Sequence, residues 1–224
     1  RWQHPKQGLL SPDLFLPLAE KTGLIIPIGN WVIDEACRQL REWHLQGHTD
    51  WSMAVNLSTL QFEQPSLVKT VLDCLTRHSV PPGMLILEVT ETTAMSNPDE
   101  SVRVLTALTD AGVKASIDDF GTGYSSFLYL KRLPACELKI DRAFVKELSG
   151  ESEDATIVSA IVALAKTLNL KVVAEGVETA AQQTFLTELG CNTLQGYLLG
   201  KPITAQAIME QCQHGEMSPP RAQS

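Results

Sequence analysis

The chain has 224 residues, of which 44% are hydrophobic and 20% charged, and its formal net charge is −8. This balance predicts one globular α/β domain, and a single barrel of alternating strands and helices fits the length. The acidic charge argues against a partner such as a DNA or RNA duplex, because proteins that bind a duplex carry basic surfaces. The five cysteines contain no Cys-x-x-Cys pair, which argues against zinc and a disulfide scaffold and indicates a reducing, cytoplasmic location.

The two ends of the sequence suggest where the domain lies. Arg1-Trp2-Gln3-His4-Pro5 lacks an initiator Met and is typical of the end of a strand whose body precedes it. Residues 215–224 are rich in Pro and Ser and are expected to form a disordered tail, which leaves a domain over residues 1–214. No apolar run reaches about 18 residues, so we expect no membrane span here, although a longer parent protein could be attached to a membrane.

Two helices open the chain, one beginning at Ser11-Pro12 and a longer amphipathic one ending near Gly47. Six strands, each followed by a helix, are then predicted by β-prone runs that alternate with helical periodicity. The predicted strands cover residues 51–57, 84–91, 113–119, 137–141, 171–174 and 192–195. The predicted helices after them cover residues 66–78, 99–111, 124–131, 154–168, 179–189 and 204–213, with Asp154 as a cap. These intervals suit βαβ crossovers and parallel pairing.

A polar side chain stands at or near the carboxyl end of every predicted strand. In chain order these are Asn56, Glu88, Asp118 with Asp119, Lys139 with Asp141, Glu175 and Gln195. In a (β/α) barrel the carboxyl ends of the strands converge on one face, where such enzymes carry out their chemistry. No Gly-rich phosphate loop follows the first strand, so the pattern favours a barrel over a doubly wound sheet.

The pair Asp118-Asp119 has two open interpretations. Two adjacent carboxylates repel each other unless a cation lies between them, which indicates a divalent metal. The same pair could instead cap the next helix. Both carboxylates can serve one site only if the chain turns at the second, and Gly121 and Gly123 are expected to supply that turn.

The chemistry expected at this site is metal-assisted hydrolysis. Carboxylates and one amide are hard ligands that suit Mg²⁺ or Mn²⁺, and two ions ~3.5–4 Å apart could clamp a phosphodiester and activate a water. Lys139 could orient that water and Glu175 could take its proton. An ordinary salt bridge explains Lys139 equally well at this stage.

Six segments taken together resemble the EAL-domain cyclic di-GMP phosphodiesterases. They are Val-Asn-Leu-Ser at 55–58, Leu-Glu-Val-Thr-Glu at 87–91, Asp-Asp-Phe-Gly-Thr-Gly-Tyr-Ser-Ser at 118–126, Leu-Lys-Ile-Asp at 138–141, Ala-Glu-Gly-Val-Glu at 174–178 and Gln-Gly-Tyr at 195–197. The resemblance implies a modified TIM (β/α)8 barrel that hydrolyses cyclic di-GMP to linear pGpG with two Mg²⁺ or Mn²⁺ ions. The family's Glu-Ala-Leu tripeptide would precede Arg1, so the first strand is expected to be missing or incomplete in this sequence.

The resemblance also implies the metal ligands and the catalytic residues. Asn56, Glu88 and Asp118 would hold the first ion, and Asp118 and Asp119 the second. Lys139 and Glu175 would position and deprotonate the attacking water. The residues implied to contact the substrate are Arg1, Glu178 and Gln195.

Further roles follow from the same resemblance. Glu91 would anchor the loop at residues 120–126, which in the family links metal binding to dimer contacts, so a homodimer is expected. Asp141 is a candidate for a supporting role behind the metal ligands. A sensor or diguanylate cyclase domain could flank the barrel. The alternative function is a non-catalytic cyclic di-GMP receptor or protein-interaction module of the same fold.

Overall fold

The computed structural model describes residues 1–123, 127–148 and 152–213. Its strands form an antiparallel pair, β1 with β2, and a six-stranded sheet in the order β3-β4-β5-β6-β7-β8. The strands are β1 (Trp2–His4), β2 (Gly8–Leu10), β3 (Met53–Leu57), β4 (Leu85–Thr90), β5 (Lys114–Phe120), β6 (Glu137–Ile140), β7 (Lys171–Glu175) and β8 (Thr193–Gln195). Every neighbouring pair in the larger sheet is parallel, as predicted.

The helices are α1 (Pro12–Thr22), α2 (Ile25–Leu45), α3 (Thr59–Phe62), α4 (Leu67–His78), α5 (Glu91–Ser96), α6 (Pro98–Asp110), α7 (Phe127–Leu130), α8 (Arg142–Lys146), α9 (Glu153–Thr167), α10 (Ala180–Leu189) and α11 (Ala205–Gln213), with a 3₁₀ turn at Pro82–Met84. Helices α3 to α10 lie between consecutive parallel strands, whereas α1 and α2 precede the larger sheet and α11 follows it. None of the helices in the described ranges is long and apolar enough to cross a membrane.

The core lies where the central strands meet the helices around them. Ile117 of β5, Leu138 and Ile140 of β6 and Leu87 of β4 are fully buried. Parallel strands covered on both faces read as nearly continuous apolar runs, which explains why these strands were recognisable in the sequence. The polar residues that interrupt such runs therefore stand out.

The sheet is one part of a barrel. Within the described ranges β3 and β8 are its two edges and are not paired with each other. Strand order that follows the sequence, with parallel pairing and a helical crossover between neighbours, is the arrangement of a (β/α) barrel. The predicted α/β barrel with an incomplete set of strands is therefore confirmed.

Several local predictions need correction. The first residues form the hairpin of β1 and β2, and residues 1–5 are thus not the exit of a lone strand. Ser152, and not Asp154, caps α9, because its hydroxyl accepts a hydrogen bond from the backbone N–H of Ala155. Helix α7 begins at Phe127; residues 124–126 of the predicted helix lie outside the described residues, as does the predicted tail at 215–224.

Candidate active site

A buried ion-pair cluster lies at the carboxyl ends of four adjacent strands. The ammonium of Lys139 on β6 is 2.9 Å from Glu88 Oε1, 3.1 Å from Asp118 Oδ1 and 2.7 Å from Glu175 Oε1. The side chain of Lys139 is 5% exposed, and those of Glu88 and Asp118 are 8% and 9% exposed. Ionised groups this far from water are costly unless they are paired, so the four side chains constrain one another.

The strand register brings these side chains to one face. Thr90 on β4 is paired with Asp118 on β5, and Glu88 lies two residues before Thr90, so it points to the same side. On the next pair of strands, Lys139 is paired with Val173, which lies two residues before Glu175. The apolar residues between them point the other way, into the layer under the helices. Alternation within the strands therefore assembles the site.

Asp119 reaches the same site through an unusual backbone conformation. Its φ is 54°, and the register between β5 and β6 is irregular between Ile117 and Phe120. A positive φ is uncommon for residues other than glycine but is tolerated by aspartate. The turn was expected from Gly121 and Gly123, whereas it begins at Asp119 itself.

As a result of this turn, three acids share one small volume. One carboxylate oxygen from each of Asp118, Asp119 and Glu175 lies within 4.8 Å of the others. The backbone N–H of Asp119 also donates a 2.9 Å hydrogen bond to Asp118 Oδ1, which fixes the first carboxylate relative to the second. The two consecutive carboxylates therefore lie close together, and their role as metal ligands stays a prediction.

Asn56 lies at the edge of this arrangement. It is the register partner of Glu88 in the parallel pair of β3 and β4, so both side chains project from the same face of the sheet. Asn56 is exposed, whereas Glu88 is buried. The amide of Asn56 therefore projects from the face of the sheet that carries the buried carboxylates.

The electrostatics of the cluster reflect burial and crowding. Burial raises the pKa of Glu88 above its ordinary value, although Lys139 acts in the opposite direction. Burial, followed by the neighbouring charge of Asp118 and a hydrogen bond with Asp141, raises the pKa of Asp119 to about 6. Burial alone would lower the pKa of Lys139, but Glu88 and Glu175 outweigh it and hold that pKa above its ordinary value. Lys139 is therefore a fixed positive charge.

Glu91, the first residue of α5, holds the turn that follows Asp119. It is 1% exposed, and its Oε2 accepts a 2.7 Å hydrogen bond from the backbone N–H of Gly121. A Cβ on Gly123 would lie 2.8 Å from Glu91 Oε1, so any larger residue there would require the Glu91 side chain to shift. The contact agrees with the anchoring role implied for Glu91; residues 124–126 of the loop are outside the described ranges.

The other candidate residues are not members of the ion-pair cluster. Arg1 is exposed at the start of the chain and forms no ion pair with the described acids. Gln195 is exposed on edge strand β8 as the register partner of Glu175, and Glu178 is exposed three residues beyond Glu175. Asp141 caps α8 through a 2.7 Å hydrogen bond from the N–H of Ala143 and also contacts Asp119.

The donor set fits a divalent cation. It consists of carboxylate oxygens and one amide, which are hard ligands. The three carboxylates of the ion-pair cluster face a single ammonium. Asp119 adds a further carboxylate beside Asp118 and Glu175. Negative charge in excess of the local cation, held by rigid strand ends, is what a metal site requires.

Sequence reasoning missed the short helix α5, which carries Glu91 and supports the turn after Asp119. Thr90 caps this helix by accepting a hydrogen bond from the N–H of Thr93. A threonine at a strand end followed by Glu91 was a usable signal, because Thr is a favoured N-cap and an acid is favoured in the first turn. The helix is six residues long, too short to show helical periodicity.

The fold and site together define a β/α-barrel domain with a cluster of acidic side chains at the carboxyl ends of its strands. Comparison with protein families narrows this class. The model of the EAL domain matches residues 1–202, and the chain belongs to that family.

Individual relatives agree with this assignment. The chain is 65% identical over 209 residues to the bifunctional diguanylate cyclase/cyclic di-GMP phosphodiesterase MucR of Pseudomonas aeruginosa, covering 93% of this chain and 30% of MucR. It is 47% identical to the cyclic di-GMP phosphodiesterase NbdA of the same organism, covering 94% of this chain and 27% of NbdA. A solved structure described as the PaMucR phosphodiesterase in complex with c-di-GMP superimposes with a TM-score of 0.91 at 65% identity, covering 93% of this chain and 84% of that one. The chain thus spans less than a third of the length of these two curated relatives.

Proposed function

We propose that this domain hydrolyses cyclic di-GMP to linear pGpG. The observation that carries the proposal is the buried cluster in which Lys139 contacts Glu88, Asp118 and Glu175 beside Asp119. A module that only binds the nucleotide does not need this many buried ionised groups, whose desolvation is costly. The names of MucR and NbdA and the c-di-GMP complex of a 65% identical structure support the choice of substrate.

The acids would hold two divalent cations, Mg²⁺ or Mn²⁺. Asn56, Glu88 and Asp118 would bind the first, and Asp118 and Asp119 the second. Such ions, when bound, polarise the phosphodiester and lower the pKa of a water molecule. The contribution of the protein is to hold their ligands close together on the strand ends, in a site from which most bulk water is excluded.

Lys139 and Glu175 would divide the proton chemistry between them. Because the pKa of Lys139 is held above its ordinary value, its ammonium remains charged and can orient the attacking water or offset charge on the phosphate. Glu175 Oε1, 2.7 Å from the Lys139 Nζ, is the more exposed acid of the ion-pair cluster and can accept a proton from that water.

The remaining parts of the proposal concern the surroundings of the site. Arg1, Glu178 and Gln195 would contact the nucleotide from the rim. Glu91 and the turn it holds would link the metal ligands to a homodimer interface. Flanking sensor or cyclase domains are part of the proposal, as is a cytoplasmic location, which suits the five free cysteines.

The test is incubation of the purified natural protein with cyclic di-GMP and Mg²⁺ or Mn²⁺, with chromatographic detection of pGpG. We expect turnover by the wild type and a loss on the order of 10³-fold in Glu175→Gln, because the proton acceptor is removed. Glu188→Gln, at an exposed acid on α10, is the matched control and should retain full activity. Tight nucleotide binding without pGpG from the wild type would reject hydrolysis and identify the domain as a receptor.

A further inference from the structure

Three threonine hydroxyls form a continuous hydrogen-bonded chain beside the site. Thr90 Oγ1, at the end of β4, donates to Thr93 Oγ1 on α5 at 2.9 Å. Thr93 Oγ1 lies 2.6 Å from Thr59 Oγ1, on the first residue of α3. Thr93 accepts a hydrogen bond from Thr90 and also bonds to Thr59, where either hydroxyl can be the donor, and hydrogen bonds linked in this way strengthen one another.

This chain ties together two strand ends that carry implied metal ligands. Thr59 follows Asn56 by three residues, directly after β3, and Thr90 follows Glu88 by two residues on β4. Asn56 and Glu88 are register partners. The bond between Thr59 and Thr93 therefore joins the segment that follows β3 to the segment that follows β4. These are the same two strands that carry Asn56 and Glu88.

The bond between Thr59 and Thr93 matters because Asn56 lies outside the ion-pair cluster. Glu88 and Asp118 are held in place by their contacts with Lys139. The position of Asn56 relative to Glu88 depends instead on the pairing of β3 with β4 and on the turn that ends in Thr59.

Helix α5 restrains the strand on its other side in the same way. Its Glu91 accepts the hydrogen bond from Gly121 in the turn after β5, while its Thr93 reaches Thr59 after β3. One six-residue helix thus connects the ends of three adjacent strands, β3, β4 and β5. These are the strands that carry Asn56, Glu88 and the Asp118-Asp119 pair.

We infer that Thr59 and Thr93 are positioning residues that fix Asn56 beside Glu88 for cation binding. The inference rests on the proposed cation site, but not on the identity of the substrate. Thr59 is the informative position, because its side chain is exposed whereas Thr93 is 2% exposed and packed against the core. A change at Thr59 should alter the bond without disturbing the core.

The test is calorimetric titration of the purified protein with Mn²⁺, in the absence of nucleotide. We expect Thr59→Val, which keeps the shape and removes the hydroxyl, to bind Mn²⁺ about fivefold more weakly, the size that one neutral hydrogen bond can contribute. Thr59→Ser keeps the hydroxyl and should bind as the wild type does. Thr184→Val, at an exposed threonine on α10, is the matched control and should change nothing.

A double-mutant cycle separates positioning from general stabilisation. If Thr59 acts through Asn56, Thr59→Val should have no further effect on Mn²⁺ affinity once Asn56→Ala is present. An unchanged affinity in Thr59→Val, an equal loss in both backgrounds, or a wild type that binds no Mn²⁺ would overturn the inference. Mn²⁺ binding that shows the expected cycle, together with no pGpG, would reject the proposed hydrolysis and leave the inference standing.

Discussion

Two buried polar centres of this domain, at Gln182 and at Lys139, differ in the type and charge of the groups that surround them. Gln182 on α10 is 5% exposed, accepts hydrogen bonds from the N–H groups of Glu178 and Thr179, and donates to the carbonyls of Val145 and Lys146. All of its partners are backbone groups, and the centre is neutral and complete. It joins the start of α10 to α8.

The centre at Lys139 is built in the opposite way. Its partners are all side chains, and one ammonium faces three carboxylates, with Asp119 close by. Such a centre is costly to bury and leaves negative charge unbalanced. The contrast shows that burial of polar groups does not by itself indicate a functional site. The neutral hydrogen bonds of Gln182 stabilise the contact between two helices, whereas the excess of negative charge around Lys139 suits the binding of cations.

The largest effect is expected from removing the ammonium in Lys139→Met. Turnover of cyclic di-GMP should fall on the order of 10³-fold, because the charge that orients water or offsets phosphate charge is lost. Without divalent cations the free energy of unfolding should also fall by about 3 kcal/mol, since three buried carboxylates lose their partner. Urea denaturation with and without Mg²⁺ measures this, and added Mg²⁺ should restore part of the loss.

Lys69→Met is the control for that variant, because Lys69 pairs with Asp73 on the exposed face of α4. Exposed ion pairs contribute little to stability, so the free energy of unfolding should change by no more than about 0.5 kcal/mol. Turnover should remain that of the wild type. A Lys139→Met protein with turnover within tenfold of the wild type would show that the lysine is an ordinary structural salt bridge.

Gln182→Ala should damage stability and leave cation binding intact. Four backbone groups would lose their partner in the interior, and we expect the free energy of unfolding to fall by about 2–4 kcal/mol. Mn²⁺ affinity and turnover per folded molecule should remain those of the wild type. Thermal or urea unfolding together with calorimetry provides both readouts.

Gln206→Ala, at an exposed glutamine on α11, is the matched control and should unfold as the wild type does. If Gln182→Ala weakened Mn²⁺ binding as strongly as a change in the ion-pair cluster, the separation between the structural and the functional centre would be wrong.

Glu91→Gln should have an intermediate effect, because it keeps the shape of the side chain and removes the charge that strengthens the hydrogen bond from Gly121. The turn after Asp119 would be held less firmly, and we expect Mn²⁺ affinity to fall about tenfold. Calorimetry measures this, with Glu63→Gln at an exposed acid after α3 as the control. An unchanged Mn²⁺ affinity would show that the anchor does not act on the metal ligands.

The sequence was sufficient to predict the part of the fold in which strand ends carry the polar residues. Glu88, Asp118 and Glu175 each end an apolar run, and a charge in such a run is visible without a structure. The hairpin of β1 and β2 was missed because its three-residue strands are too short to alternate clearly. Helices α3, α5 and α8, of four to six residues, were missed because they do not complete two turns of periodicity.

Two features of the site could not be predicted from local pattern. The positive φ of Asp119 occurs where the register between β5 and β6 is irregular, and that register depends on both strands. The contact of Thr59 with Thr93 joins residues 34 positions apart, through a helix that the sequence did not reveal. Both arise from tertiary packing, which overrides local preference.

The smallest predicted effect is a pH dependence at Asp119. The pKa of Asp119 is about 6 in the folded protein, above the ordinary 3.8. Without cations, protonated Asp119 therefore contributes to the stability of the fold, fully below pH 3.8. This contribution to stability is lost as the pH rises through about 6. A cation must displace that proton, so Mn²⁺ affinity should weaken severalfold between pH 7 and pH 5.5. Asp119→Asn should bind more weakly but with a flatter pH profile, whereas Asp73→Asn, at an exposed acid on α4, should keep the wild-type profile. An equally steep profile in Asp119→Asn would assign the proton to another acid of the site.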